Sequence, residues 1–353
     1  MAVADELRAS GAEVSFLGTR ERIEAELVPA AGYEIDFVKV RGIDRRNPLR
    51  ATRAGFEALA AVWAAREVLH RRRADVVVGG GGFVAGPAGL AAAMTRTPLV
   101  LTEADSHLGL ANRLLAGRAR RICLAFPIKG KEGERYLVTG RPVPRAVLEG
   151  DRAAARERFG ITDEARCLLV FGGSQGARSV NLVALEAFAK EANAVVPGMR
   201  EEVRRRDFHV LHITGTRDFP ELERRLAEAP EGERYTLLPY EPNLGDALAA
   251  ADLVLARSGG SIFEVAATGR PAILVPFPFA TADHQSSNAE WMRAGGAAVV
   301  VPDAELTADR LAAEVQAILD DESRLGEMAA AARALALPAA ARTIANEVLE
   351  AAR

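Results

Sequence analysis

The stretch CLLVFGGSQGAR (167–178) decides the fold. Five apolar residues run into a glycine turn, and a helical pattern starts beyond it. A second stretch, LVLARSGGSIFE (253–264), repeats the arrangement. A strand, a glycine turn and a helix start together point free backbone N–H groups and the positive end of a helix dipole at one spot. Two such spots in one half of a chain suit a diphosphate. In the first turn the candidate contacts are Gly173, Ser174, Gln175 and Gly176, with the Ser174 hydroxyl as an added donor. In the second they are Arg257, Ser258, Gly259, Gly260 and Ser261. Glu264 lies about one turn into the following helix, where a carboxylate can accept two hydrogen bonds from the cis-diol of a ribose.

Working outward, apolar strand-like runs alternate with helical patterns along the whole chain. Strands are expected over 13–17, 75–78, 99–102, 121–125, 167–171, 209–214, 235–238, 253–256, 272–275 and 297–301. Helices are expected over 2–10, 51–73, 180–195 and 308–320, among others. This alternation predicts α/β architecture with parallel sheets. At 353 residues two domains are expected. The proline-bearing segment 138–152 is the expected linker. The first helix runs straight into a strand, whereas a doubly wound sheet begins with a strand feeding that helix. A first strand and its turn are therefore expected to lie before Met1.

Composition excludes several classes. Hydrophobic content of 49% and charged content of 26% are those of a globular protein. Cys123 and Cys167 form no CxxC, so neither a metal site nor a disulfide framework is expected, and a reducing cytoplasm fits. No apolar run reaches the ~18–20 residues of a membrane span. The net charge of -3 hides an asymmetry, because residues 1–150 carry net +6 and the remainder net -9. A basic first half suits an anionic membrane surface or an acidic substrate as readily as it reflects ordinary variation between domains. Nothing points to nucleic acid.

Three further stretches carry candidate chemistry. VPFPFATADHQSSN (275–288) places a proline-rich loop before His284, Gln285 and Asn288, and the last two share a helix face and suit sugar hydroxyls. VVVGGGGFVAGPAG (76–89) is another strand and glycine turn, with Gly81, Gly82, Phe83 and Gly86 placed to cradle an acceptor's diphosphate. LTEADSHLGLAN (101–112) brings polar residues to a strand end. Glu103 is the candidate general base there, with Asp105 and His107 as competitors. Asn112 joins the acceptor set.

Taken together, GGFVAGP (81–87), GGSQGAR (172–178), RSG (257–259) and DHQSSNA (283–289) resemble the MurG family of bacterial cell-wall glycosyltransferases. FLGT at 16–19 and EAELVP at 24–29 extend the resemblance, which runs from Met1 to the C-terminal helix. It implies a GT-B fold, two Rossmann-like domains facing across a cleft. The acceptor- and membrane-facing domain would span 1–142, joined by helix 340–353, and the UDP-GlcNAc domain would span 150–335. The implied reaction is inverting transfer of N-acetylglucosamine from UDP-GlcNAc to the C4 hydroxyl of the muramoyl sugar of lipid I. Lipid II and UDP are the products, in peptidoglycan synthesis and with it cell shape and division.

By the same resemblance Ser174 meets the diphosphate and Glu264 the ribose, while His284, Gln285 and Asn288 read the sugar. The backbone near Tyr240 and Glu241 meets uracil. Asp105 and Arg145 stand where the family places further donor contacts, although both segments depart from its pattern. The family's His-Glu-Gln-Asn run reads TEAD at 102–105, and its Gly-Asn-Pro-Val-Arg reads GRPVPR at 140–145. Trp63, Leu69 and Arg71–Arg73 offer a membrane surface. No obligatory metal is expected, at most Mg2+ accompanying the nucleotide. The expected location is peripheral, on the cytoplasmic face of the plasma membrane, with other cell-wall synthesis proteins as partners. Two other readings stand beside this one: a different UDP-sugar transferase, such as a diacylglycerol glucosyltransferase, and a non-catalytic nucleotide-sugar-binding protein.

Overall fold

The computed structural model describes residues 1–40, 48–173, 176–189, 208–228, 234–280 and 283–353. The chain divides into two compact units, Met1–Pro142 with Leu337–Arg353, and Val143–Ala336. In the first unit α1 (Ala2–Ala9) leads to β1 (Ser15–Gly18), α2 (Glu24–Ala30) and β2 (Glu34–Phe37). Then follow α3 (Pro48–Arg72), β3 (Val77–Gly79), α4 (Gly82–Thr95), β4 (Leu99–Glu103), α5 (Leu110–Leu115), β5 (Arg121–Leu124) and β6 (Tyr136–Val138). All pairings are parallel. β1 and β2 pair with each other, and β3-β4-β5-β6 form a separate quartet.

The second unit runs α6 (Arg145–Leu148), α7 (Arg152–Phe159), β7 (Arg166–Phe171), α8 (Arg178–Phe188), β8 (Phe208–Ile213), α9 (Phe219–Ala227), β9 (Tyr235–Leu238) and α10 (Leu244–Ala250). It continues with β10 (Leu253–Ala256), α11 (Ile262–Ala267), β11 (Ala272–Leu274), α12 (His284–Ala294), β12 (Ala298–Val300), α13 (Ala308–Leu319) and α14 (Glu322–Leu335). The last helix of the chain, α15 (Ala340–Ala352), returns to the first unit, where Ile344 and Val348 pack with Leu7, Val100 and Cys123.

The ten expected strands are all present, with ends shifted by a residue or two, and β2 and β6 are additional. β2 reads EIDF, too short and too polar to stand out, and β6 is only YLV. Burial pushes the Cys123 and Cys167 thiols up to about 12, which leaves both inert.

The sheet of the second unit has the order β12-β11-β10-β7-β8-β9, all parallel. Leu168, Leu169, Val170, Leu253, Val254 and Leu255 are fully buried, as strands covered by helices on both faces must be. Read from β9, this is the doubly wound order, in which the progression of strands reverses between β7 and β10.

A charged cluster fixes the opposite edge of these two strands. Asp252 accepts the Cys167 N–H at 2.8 Å and pairs with Arg152 at 2.7 Å and Arg156 at 3.6 Å. Arg152 also donates to the carbonyls of Ala249, Ala250 and Ala251, and Arg156 to that of Ala250. Cations thus meet the last carbonyls of α10, where the helix dipole favours them.

His212 on β8 is fully buried, and burial alone pushes its pKa down to about 3. The folded state therefore holds it neutral, while the unfolded chain protonates it near 6.5. Stability from this residue is complete above about pH 6.5 and is lost as pH falls towards 3. Unfolding monitored from pH 7 to 4 should show an acid-side decline that His212→Gln reduces by about one proton's worth, 1.4 kcal/mol per pH unit.

Candidate functional site

β7 and β10 are paired in register, Phe171 opposite Ala256, so the turns beginning at Gly172 and Arg257 leave the sheet side by side. Strand neighbours lie roughly 4.8 Å apart. Both turns stand at the carboxyl edge, at the point where strand order reverses, which is where open α/β sheets bind ligands. Gly176 has φ +70, and a Cβ there would stand 2.6 Å from the Thr214 carbonyl, so only glycine fits. Gly173 is exposed. Ser174 and Gln175 lie outside the described residues.

The second turn is braced from beneath. Arg257 is 8% exposed and pairs with Asp303 at 2.6 Å. It also donates to the Ser179 hydroxyl and to the carbonyls of Val275 and Pro276. Its guanidinium is thereby committed within the domain, which makes it a support for the turn instead of a phosphate contact. Ser258, fully buried, donates to the Gln285 carbonyl at 2.8 Å and accepts from Asn288 Nδ2 at 2.9 Å on its own carbonyl. The start of α12 is thus tied to the glycine turn. Asn288 Oδ1 is buried without a partner, and Gln285 Oε1 accepts the Phe277 N–H. Gly259, Gly260, Ser261, Glu264 and His284 are half-buried around the same turn and helix starts.

Tyr240 is 61% exposed on the loop after β9. Glu241 is buried, pairs with Arg158 at 2.7 Å and accepts the Asn243 N–H, so only its backbone is available for a base. Arg145, at the start of α6, is exposed and pairs with Glu149 at 2.6 Å.

In the first unit β3 ends at Gly79, and Gly81 and Gly82 have positive φ at the N-cap and first residue of α4, which has no side-chain cap. This backbone, open to glycine alone, brings the chain to the start of α4, whose first N–H groups carry no side-chain cap. Phe83 is exposed and Gly86 is half-buried on α4. Asn112 is buried close to Gly81, donates to the Thr102 carbonyl and to Glu103, and keeps an unpartnered Oδ1.

Glu103 is not placed as a free base. Its carboxylate is 8% exposed and accepts from the Asp105 N–H at 3.2 Å, the Gly109 N–H at 2.8 Å and Asn112 Nδ2 at 2.9 Å. It organises the 103–112 loop, on which Asp105 is half-buried and His107 exposed. Glu103→Ala strands three donors and should raise local opening of this loop by about 2–3 kcal/mol, read as faster hydrogen exchange at Gly109. Glu103→Gln, which keeps acceptor oxygen, should restore part of the protection.

The surface expected at Trp63, Leu69 and Arg71–Arg73 also differs. Trp63 is 56% exposed, but Leu69 packs against the core, and Arg71 and Arg72 pair with Asp36 and Glu34 on β2. Besides Leu59 and Trp63 on α3, exposed apolar residues lie on α4 (Phe83, Leu90, Met94) and α5 (Leu110, Leu114). The spacing puts each set on one helix face. Among the described residues no helix is long and apolar enough to cross a membrane, and no group of three metal-ligating side chains comes together.

Sequence reading did not single out Asp303 or Ser179. They reach Arg257 only through tertiary packing, and no local spacing marks them.

A doubly wound parallel sheet with two glycine turns at its reversal point is the architecture of nucleotide-binding α/β domains. Residues 1–124 match the glycosyltransferase family 28 N-terminal domain, and residues 167–345 match the family 28 C-terminal domain. The chain is 40% identical over 356 residues to the UDP-N-acetylglucosamine–N-acetylmuramyl-(pentapeptide) pyrophosphoryl-undecaprenol N-acetylglucosamine transferase of Alkalilimnicola ehrlichii, covering all of this chain and 95% of that one. It is 38% identical over 348 residues to the protein of that name from Moorella thermoacetica, covering 96% and 91%. The crystal structure of Acinetobacter baumannii MurG superposes with a TM-score of 0.77 at 29% identity, covering 99% of this chain and 94% of that one. The chain belongs to glycosyltransferase family 28, with the GT-B architecture of two Rossmann-like domains.

Proposed function

We propose that the chain transfers N-acetylglucosamine from UDP-GlcNAc to the C4 hydroxyl of lipid I, giving lipid II and UDP. The observation that carries this reading is the pair of glycine turns on β7 and β10, adjacent at the reversal point of the sheet, in a chain of this family. Gly173 and the start of α8 offer N–H groups to the donor diphosphate, while the Gly176 N–H closes the turn on the Gly173 carbonyl at 2.9 Å. Glu264 takes the ribose diol, and the start of α12, with His284 and the Gln285 amide, faces the sugar hydroxyls, while buried Asn288 ties that helix to the glycine turn. The loop at Tyr240 and the Glu241 backbone receive uracil.

In the transfer the C4 oxygen attacks the anomeric carbon as the bond to the β-phosphate oxygen breaks, and the electron pair leaves with UDP. The attacking hydroxyl loses its proton to a base. Half-buried Asp105 and exposed His107 are the two titratable side chains of the 101–112 stretch that stand clear of the core, and Glu103 holds that loop in shape. Negative charge growing on UDP is met by backbone N–H groups and helix starts, which act without reorganising. A metal is not required for that charge relief, so EDTA should leave the rate within about twofold, given N–H stabilisation of this kind.

The glycine turn at Gly81–Gly82 and the uncapped start of α4 suit the acceptor diphosphate. The apolar faces of α4 and α5, beside Arg113 and with Arg22 over Phe83, suit the lipid surface that carries it. The cytoplasmic face of the plasma membrane is the location this substrate requires of a peripheral enzyme.

The test is acceptor competition. Labelled UDP-GlcNAc is offered with a short-chain lipid I analogue and with diacylglycerol. Transfer to the lipid I analogue alone supports the reading. Transfer to diacylglycerol, or UDP binding without transfer to either, contradicts it.

A further inference from the structure

Beneath the first glycine turn lies a chain of buried polar groups that the transfer reaction does not itself use. The Tyr235 hydroxyl is 2.7 Å from His212 Nδ1, and His212 Nε2 is 3.1 Å from Asn181 Oδ1. Asn181 Nδ2 donates to the Thr214 carbonyl at 2.8 Å and to Asp218 Oδ2 at 3.1 Å. Asn181, His212 and Thr214 are fully buried, and Asp218 is 3% exposed. These groups come from β9, β8, α8 and the loop after β8.

The direction of the chain is fixed by chemistry. Asn181 uses its amide N–H groups on Thr214 and Asp218, so its oxygen faces the imidazole and can only accept. The ring therefore carries its hydrogen on Nε2, and Nδ1 accepts from the Tyr235 O–H. Every donor points the same way, towards the Asp218 carboxylate, which Arg217 approaches at 3.1 Å and Arg178 at 3.8 Å.

The far end of this chain meets the glycine turn. The Thr214 carbonyl that accepts from Asn181 is the atom a Cβ on Gly176 would strike, and Asp218 Oδ2 would lie 3.7 Å from that Cβ. Asn181 also sits in the first turn of α8, with its own N–H bonded to the Ala177 carbonyl at 2.8 Å. Asn181 thus ties the turn's floor through its side-chain amide and the helix that the turn opens through its backbone N–H.

We infer that the Tyr235–His212–Asn181–Asp218 chain is a positioning device for donor binding, setting where Gly176, the last residue of the glycine turn, and the N–H groups at the start of α8 stand. The inference rests on the proposal that this turn holds the donor diphosphate. It assigns no contact with substrate to any of the four residues. Its consequence is selective: loss of the chain weakens recognition of the diphosphate and leaves recognition of the nucleoside alone.

The test compares UDP with uridine, which lacks the diphosphate, by calorimetry on the full chain. Asn181→Leu should weaken UDP by about tenfold, the equivalent of one buried hydrogen bond. Uridine affinity should change by less than about twofold, within the scatter of a contact left intact. His212→Gln keeps an N–H near the Nε2 position and should bind UDP close to wild type, whereas His212→Leu should match Asn181→Leu. Tyr235→Phe, which removes only the outer donor, supplies a readout if the inner variants fold poorly, with a smaller loss for UDP and none for uridine. Equal losses for UDP and uridine, or no loss for UDP, would overturn the inference. Gly173→Ala separates the two levels. If it leaves UDP binding intact, the turn itself is not the diphosphate site. If it weakens UDP while Asn181→Leu does not, the positioning role alone fails.

Discussion

Replacing Glu264 by alanine is expected to lower kcat/KM for UDP-GlcNAc about a hundredfold, because a carboxylate that accepts from both ribose hydroxyls contributes roughly 1.5 kcal/mol or more through each bond. Glu264 stands in the first turn of α11, directly after the glycine turn at 258–261, and is half-buried. Alanine is a better helix former, which offsets part of the lost favourable charge at the helix start. The fold should therefore survive, and the melting temperature should move little. A donor lacking the ribose 2′-hydroxyl makes the test specific. The wild-type enzyme should lose much of its advantage with that donor, and Glu264→Ala should lose less. Equal losses in both proteins would place the carboxylate away from the ribose.

The second large effect concerns stability. Asp252→Ala is expected to destabilise the second unit by about 3–5 kcal/mol, the range for removing one partner of a buried ion pair. The substitution leaves Arg156, 2% exposed, without its carboxylate and strands the Cys167 N–H at the start of β7. Arg152 retains its three carbonyls and screens part of the loss, since it is 41% exposed. Denaturant unfolding of the full chain measures this as a lower midpoint for the transition that includes the second unit. A loss below about 1 kcal/mol would show that the arginines are held by the α10 carbonyls alone, as exposed pairs are.

Much of the second unit was legible in the sequence because its strands are buried on both faces. CLLVF and LVLA are continuous apolar runs followed by glycine turns, and that pattern needs no tertiary knowledge to read. Pairing order is another matter. That β7 and β10 are neighbours, which brings the two turns together, depends on crossovers of many residues that no local spacing encodes. β2 was missed because EIDF carries only two apolar residues, and the 71–73 arginines looked like a surface patch because β2 holds the acids that bind Arg71 and Arg72. Glu103 and Arg257 teach the same point in the site. Residue type marked both as chemically capable, but only the fold reveals that the donors around Glu103 and the acceptors around Arg257 are already engaged. Asn181 was visible as part of a distinctive string, whereas its partner His212 lies 31 residues further on and became visible only as a buried contact.

The most direct measurement is a crystal structure of the chain with UDP-GlcNAc. The expected result has the diphosphate within hydrogen-bond reach of the N–H groups of Gly173, the start of α8 and the second glycine turn, the ribose hydroxyls on Glu264, and the sugar against the start of α12. Nucleotide bound in the first unit, or in the second unit away from the ends of β7 and β10, would contradict the account.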